Sequence, residues 1–277
     1  MLKRILVPLD VSDYAEAATH RAGLLARANY AAVTGMVVLD TPEIRGMSLP
    51  DIPVRLLDYT VENIESRTKE AEQRIQDELE RFAYRCEQAH VPHNEAEFQG
   101  VPSEKIIQAS HYFDLVVMGL RTFFHFETQE GPGDSLAKVL GHTPTPVLAI
   151  PKISRQPLCK VLIAYDGSLS SVRAMHAFAQ MAWPEKVDVT VLMSHADENY
   201  RSVALREATA YLRSHSIDTI HAIGTDREIK QLIDEDFIEK TDLVVLGMHA
   251  KHRIKDFFVG SLAKQLIDHG HTALLLA

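Results

Sequence analysis

Only two cysteines, Cys86 and Cys159, occur in 277 residues, and neither lies in a Cys-x-x-Cys pair or at metal-finger spacing from a histidine. That excludes a disulfide-stapled fold and predicts a reducing, cytoplasmic compartment. Basic residues are in the minority: 29 Lys and Arg face 38 Asp and Glu, a formal charge of −9. Such a chain has no general attraction to nucleic acid or anionic lipid, so any polyanion must be held by a local site. No apolar run nears the length of a membrane span. The run after Met1-Leu2-Lys3-Arg4 contains Pro8 and stops at Asp10, too short for a signal peptide. Also missing are the Lys-Ser/Thr ending of a Walker loop, a Gly-x-Ser-x-Gly elbow and, despite 14 histidines, a His-Glu-x-x-His pair. P-loop, serine-hydrolase and zincin chemistry lose their support, and neither a metal site nor a catalytic residue is predicted.

What is present is an ordinary globular composition, 46% hydrophobic and 24% charged, on a chain long enough for one large or two ordinary domains. Internal repetition decides between them. Arg4-Ile5-Leu6-Val7-Pro8-Leu9-Asp10-Val11-Ser12 lines up with Lys160-Val161-Leu162-Ile163-Ala164-Tyr165-Asp166-Gly167-Ser168, 156 residues later. Phe113-Asp114-Leu115-Val116-Val117-Met118-Gly119 matches Thr241-Asp242-Leu243-Val244-Val245-Leu246-Gly247 at 128, and Ser135-Leu136-Ala137-Lys138 matches Ser261-Leu262-Ala263-Lys264 at 126. Three blocks in one order predict tandem homologous domains, at 1–151 and 157–277. The falling offset places an insertion in the first copy, between its second strand and the end of its second helix.

Each copy alternates strand and helix, and the strands read as continuous Val/Ile/Leu runs, as expected when helices cover both faces of a parallel sheet. The expected fold is α/β, two doubly wound, Rossmann-like domains. Strands are expected near 3–9, 32–39, 93–99, 114–119 and 146–150, then near 160–165, 187–193, 217–223, 242–246 and 272–276. A first helix over 13–29 carries Ala15, Ala18, Ala22 and Leu25 on one stripe, with Ser12 or Asp13 as its cap. A long helix over 60–90 repeats Val61, Ile64, Ala71, Ile75, Leu79, Phe82 and Cys86 near the helical period; its far end either packs on another surface or is solvated. A helix over 198–214 is its shorter counterpart. Prolines 151 and 157 bound a linker stiff enough for a fixed interdomain geometry.

Ligands of open α/β sheets bind beyond the carboxyl ends of the strands. There Asp166 can accept hydrogen bonds from a ribose or an adenine amino group, or it can cap the next helix; Ser168 reads better as a cap than as a nucleophile. After the fourth strand of the second copy come Gly247-Met248-His249-Ala250, nine residues, then Gly260-Ser261 opening a helix. Glycine admits close backbone approach, and a helix N-terminus presents free N–H groups, so this is a phosphate-cradle layout. Lys251, Arg253 and Lys255 against Asp256 make its rim positive, with His249 and His252 nearby. The first copy has a longer loop, a net negative one carrying Glu127, Glu130 and, where the second has Gly260, Asp134. A carboxylate there repels phosphate, which predicts a nucleotide in the second copy alone. Phe123, Phe124 and Phe126 in that loop are either packing residues or the wall of an apolar pocket.

These residues resemble the universal stress protein family. Its nucleotide-binding forms share an Asp ending the first strand and the pattern Gly, two residues, Gly, nine residues, Gly, then Ser or Thr. Gly247, Ala250, Gly260 and Ser261 repeat that spacing, with Ala250 replacing the second glycine. The resemblance spans both halves and implies five-stranded sheets of order 3-2-1-4-5. It implies ATP, with Mg²⁺, phosphates on Gly247, Ala250, Gly260 and Ser261 near His249 or Lys251, and adenosine at Asp166 with the backbone of Ala164 and Tyr165, Met193 touching the base. It further implies antiparallel pairing of fifth strands, which 147–150 and 273–276 could make within one chain as a pseudo-dimer, itself able to form a homodimer. The function this implies is a nucleotide-dependent stress-response module with an unknown protein partner, at most a weak ATPase. Two other readings stay open: a slow ATP hydrolase or adenylyl-transfer enzyme, and a nucleotide-free scaffold working through helix 60–90.

Overall fold

The computed structural model describes residues 1–40, 57–122, 124, 135–153, 157–248 and 261–277. The first half runs β1 Arg4–Pro8, α1 Asp13–Asn29, β2 Ala32–Leu39, α2 Leu57–Gln88, β3 His93–Gln99, α3 Pro102–Ser110, β4 Leu115–Gly119, α4 Ser135–His142 and β5 Val147–Ile150. The second runs β6 Lys160–Ala164, α5 Leu169–Gln180, β7 Asp188–Ser194, α6 Glu198–Ser214, β8 Thr219–Thr225, α7 Ile229–Leu232, β9 Leu243–Leu246, α8 Ser261–His269 and β10 Ala273–Leu276. All ten strands join one sheet in the order β3-β2-β1-β4-β5-β10-β9-β6-β7-β8. Each half therefore has the order 3-2-1-4-5. Within each half the pairing is parallel, and β5 meets β10 antiparallel, Leu148 opposite Leu275. The fifth strands thus pair inside one chain, and the sheet itself welds the halves.

The inner strands are apolar because both faces are covered: β4, β5, β9 and β10 are buried throughout. The expectation of continuous apolar runs fails at β3 and β8, where most residues are at least partly exposed. Those two strands are the sheet's edges, and polar residues such as Glu95, Glu97 and His221 discourage edge-to-edge pairing. The repeated Asp-Leu-Val-Val is explained by one contact made twice. Asp114 Oδ2 accepts the N–H groups of Lys3 and Arg4 at 2.7 and 2.9 Å. Asp242 Oδ2 accepts those of Cys159 and Lys160 at 3.0 and 2.8 Å. Each aspartate ties the fourth strand to the start of the first, and charged acceptors make such bonds worth about 1.5–3 kcal/mol.

The insertion is visible in the helices, α2 having 32 residues where α6 has 17. Of its expected apolar stripe, the side chains of Val61 and Ile64 lie outside the described residues, while Ala71, Ile75, Leu79, Phe82 and Cys86 are all buried. From Ala71 on the helix covers its own half. Gly35 is what lets it in, since a Cβ there would stand 2.7 Å from the Phe82 ring. The linker stretch 154–156 is outside the described residues, but two polar contacts lock the halves directly. Arg21 on α1, fully buried, pairs with Glu185 at 2.7 Å, and the Asn29 amide bonds both the N–H and the C=O of Ala182 at 3.0 and 2.7 Å.

Candidate functional site

In the second half the carboxyl ends of β6, β7 and β9 converge on the turn 165–168. Ala164 ends β6, and the Tyr165 N–H continues the ladder to the Leu192 C=O at 2.9 Å. Burial pushes the Tyr165 phenol up, with Tyr200 and Asp166 adding to the shift. Asp166 is exposed, and its Oδ1 accepts the Ser168 N–H at 2.9 Å, a bond that shapes the turn. Ser168 then caps α5, its hydroxyl accepting the Ser171 N–H at 3.2 Å. Gly167 has φ +75° and sits under the Tyr200 hydroxyl, which a Cβ would approach to 2.5 Å. No larger residue fits there without strain.

Gly247, just after β9, is as tightly constrained. A Cβ on it would lie 2.4 Å from the backbone of Ser170 and Ser171, so this glycine lets the strand exit touch the first turn of α5. Ser261 is exposed at the start of α8. Met193 is fully buried in the core between sheet and helices, and presents no surface to the crevice. His249, Ala250, Lys251 and Gly260, with the charged loop around them, lie outside the described residues. So do Phe123, Phe126, Glu127, Glu130 and Asp134 of the first half, whereas Phe124 is 3% exposed, in core packing.

The equivalent crevice of the first half is built differently. Asp10, the counterpart of Asp166, is 3% exposed. Ser12 starts α1 without the expected cap bond; its hydroxyl and its N–H both go to Asp10 Oδ1 instead. Asp40, following β2, is 7% exposed, and Glu78 of α2 is 8% exposed. Burial raises the Glu78 carboxyl, Asp10 and Glu16 raise it further, and Arg81 and Arg85 act the other way. Gly119 matches Gly247, and a Cβ there would strike Tyr14 Cβ and the Arg121 carbonyl, both at 2.6 Å.

The universal stress protein family model matches residues 1–151. The chain belongs to that family. A universal stress protein of Archaeoglobus fulgidus superposes over 99% of this chain and 97% of its own, with a TM-score of 0.73 at 16% identity. A putative universal stress protein of Pseudomonas aeruginosa superposes over 99% and 92%, with a TM-score of 0.61 at 14% identity. In sequence, universal stress protein Slr1230 of Synechocystis is 25% identical over 159 residues, 56% of this chain and 54% of that one. The chain thus spans about half the length of that curated relative.

Three residues of this universal stress protein stand outside its motifs. Tyr200, over Gly167, comes from α6 and carries no spacing signal. Asp40 follows an apolar strand and reads as an ordinary turn residue. Glu78 was findable, because it stands three residues after Ile75 and four before Phe82 and so interrupts the buried stripe with a carboxylate. Among the described residues no His, Cys, Asp and Glu group could hold a metal, and no helix is long and apolar enough to cross a membrane. Burial pushes the Cys86 thiol up to about 11, which keeps it protonated and unreactive at neutral pH.

Proposed function

We propose that the chain is an adenine-nucleotide-binding stress-response module whose second domain, 157–277, holds Mg-ATP while the first, 1–151, holds none. One observation carries the reading: the carboxylate ending the first strand is exposed beside a tyrosine in one half and buried beside further carboxylates in the other. Asp166 can hydrogen-bond a ribose or an adenine amino group, whereas Asp10 is spent on Ser12. Asp10, Asp40 and Glu78 together disfavour any phosphate entering the first crevice. In the second, Gly247 and Ser261, with Ala250, Gly260, His249 and Lys251, would hold the phosphates, the free N–H groups opening α8 supplying donors. Tyr165 and Ala164 would contribute backbone to the adenosine, and Tyr200 joins the residues expected of that site. Met193 would have to leave the core to meet the base. A bound Mg²⁺ would neutralise phosphate charge; among the described residues no general base stands beside Ser168, which favours binding over turnover as the role.

The test is calorimetric titration of Mg-ATP into nucleotide-stripped protein and into Gly260→Asp, which copies the first half's carboxylate into the second. One site per chain, lost in the variant, is expected. Two sites, or one indifferent to the change, would defeat the assignment, and sustained ADP release lost on Asp166→Ala would make the protein an enzyme instead.

A further inference from the structure

Between the halves lies a cavity of about 660 Å³, within the range of small-molecule sites. Its walls include Met248, next to Gly247, but none of the residues expected to hold the nucleotide. One wall is helix α5, which turns Arg173, His176 and Gln180 toward it, and the opposite wall is apolar, from Leu140, Pro144 and Val147 of the first half. Met181 and Met248 close it from the second. The near-symmetry of the molecule explains why space is left. The residue of α1 that matches Ala177 by the 156-residue repeat is Arg21, a fully buried side chain whose guanidinium reaches across to Glu185. Arg21 fills the seam on its side. The methyl of Ala177 cannot do so on the other, and the cavity stands where a guanidinium would be.

The polar groups that line it differ in what they still offer. Thr143 and Thr145 are consumed by Ser110, the hydroxyls of Ser110 and Thr143 being 2.7 Å apart and Thr145 donating to the Ser110 carbonyl at 2.7 Å. Asp114 also lines the cavity, its Oδ2 committed to two backbone N–H groups. Arg173 is exposed and has no carboxylate partner among the described residues. The His176 ring is held in place by stacking on Tyr211, with centroids 4.2 Å apart. What remains is a cationic edge facing an apolar wall, with two thioethers suited to aromatic rings.

We propose that this cavity is a second ligand site, one that takes an aromatic carboxylate or sulfonate, its anionic group on Arg173 and its ring against Met181, Met248 and the prolines. The probe is 1-anilinonaphthalene-8-sulfonate, titrated by fluorescence into the nucleotide-stripped full chain and repeated in saturating Mg-ATP. Saturable binding of one dye per chain is expected, unmoved by Mg-ATP and displaced by 1-naphthoate but not by the neutral 1-naphthalenemethanol. Arg173→Gln, at an exposed position, should weaken the dye about tenfold, the loss of one charged hydrogen bond. Ala177→Arg, which builds the first half's plug into the second, should abolish it, with circular dichroism reporting that the variant is folded. Non-saturable binding, displacement by Mg-ATP, equal competition by the neutral naphthalene, or an affinity unchanged by Arg173→Gln would each overturn the proposal. Because the dye is read without nucleotide, its failure leaves the ATP assignment standing, and the reverse also holds.

Discussion

The two crevices of this protein begin from the same backbone and end with opposite contents. In both, an aspartate ends the first strand and a serine two residues on starts a helix. In the second half the Asp166 carboxylate shapes its turn and stays exposed, and the Ser168 hydroxyl is left to cap the helix. In the first half Ser12 turns back to Asp10, and helix α2 brings Glu78 into that neighbourhood. The longer second helix brings the Glu78 carboxylate toward Asp10, where its counterpart α6 brings Tyr200 over Gly167. The lesson is that a motif aspartate reports the strand's end in both halves, and only its burial and neighbours report what could bind there.

The seam between the halves offers the largest test. Arg21 is fully buried and the Glu185 side chain 10% exposed, so removing the carboxylate takes a close ion-pair partner from a buried guanidinium. Glu185→Ala is expected to cost about 3–5 kcal/mol in chemical denaturation. The double change Arg21→Met with Glu185→Leu should recover most of that, since apolar replacement of a buried pair is often neutral. A single variant as stable as the double would show that Arg21 keeps a solvated escape, and the contrast with Ala177 would lose its force.

Glycines in or just after the strands come next. A methyl on Gly247 meets fixed backbone at 2.4 Å, whereas one on Gly35 meets the Phe82 ring, a side chain that can turn aside. Gly247→Ala should cost about 2–3 kcal/mol and Gly35→Ala less, measured as denaturation midpoints at constant slope. Gly119→Ala should resemble Gly247→Ala because Tyr14 Cβ and a carbonyl block it. A Gly247→Ala protein of full stability that no longer binds nucleotide would instead assign this glycine to the phosphate alone. Gly119 argues against that, because it keeps the same residue type in the half whose crevice is crowded with carboxylates.

Most of the architecture was legible because the repeat is in the apolar strands. Helices 13–29 and 198–214 fall where periodicity put them, and strands 32–39 and 93–99 have the expected bounds. Composition misled at β3 and β8, since an edge strand is covered less and its polar residues carry no apolar run. The site was legible only in part. Asp166 lies just after β6, Gly247 just after β9 and Ser261 at the start of α8, whereas Met193 is buried in the core. Tyr200 reaches Gly167 through tertiary packing of α6, which no local pattern encodes.

The smallest expected effect probes the first crevice directly. The Glu78 carboxyl is raised from its ordinary value because burial and the neighbouring Asp10 and Glu16 outweigh Arg81 and Arg85. A carboxyl raised in the folded state favours folding when protonated. Its contribution is therefore complete below the ordinary glutamate pKa and is lost as pH rises through the raised value. Glu78→Gln keeps an oxygen for Arg81 while removing the charge, so its Tm should exceed the parent's by about 2 °C at pH 7. The gain should shrink as pH falls into the carboxylate range. Asp166→Asn, at an exposed position whose amide oxygen can still accept the Ser168 N–H, should change stability by less than about 0.5 kcal/mol at pH 7. A Glu78→Gln protein with lowered Tm at pH 7 would mean that the Arg81 pair at 2.9 Å outweighs desolvation, and that the first crevice tolerates negative charge after all.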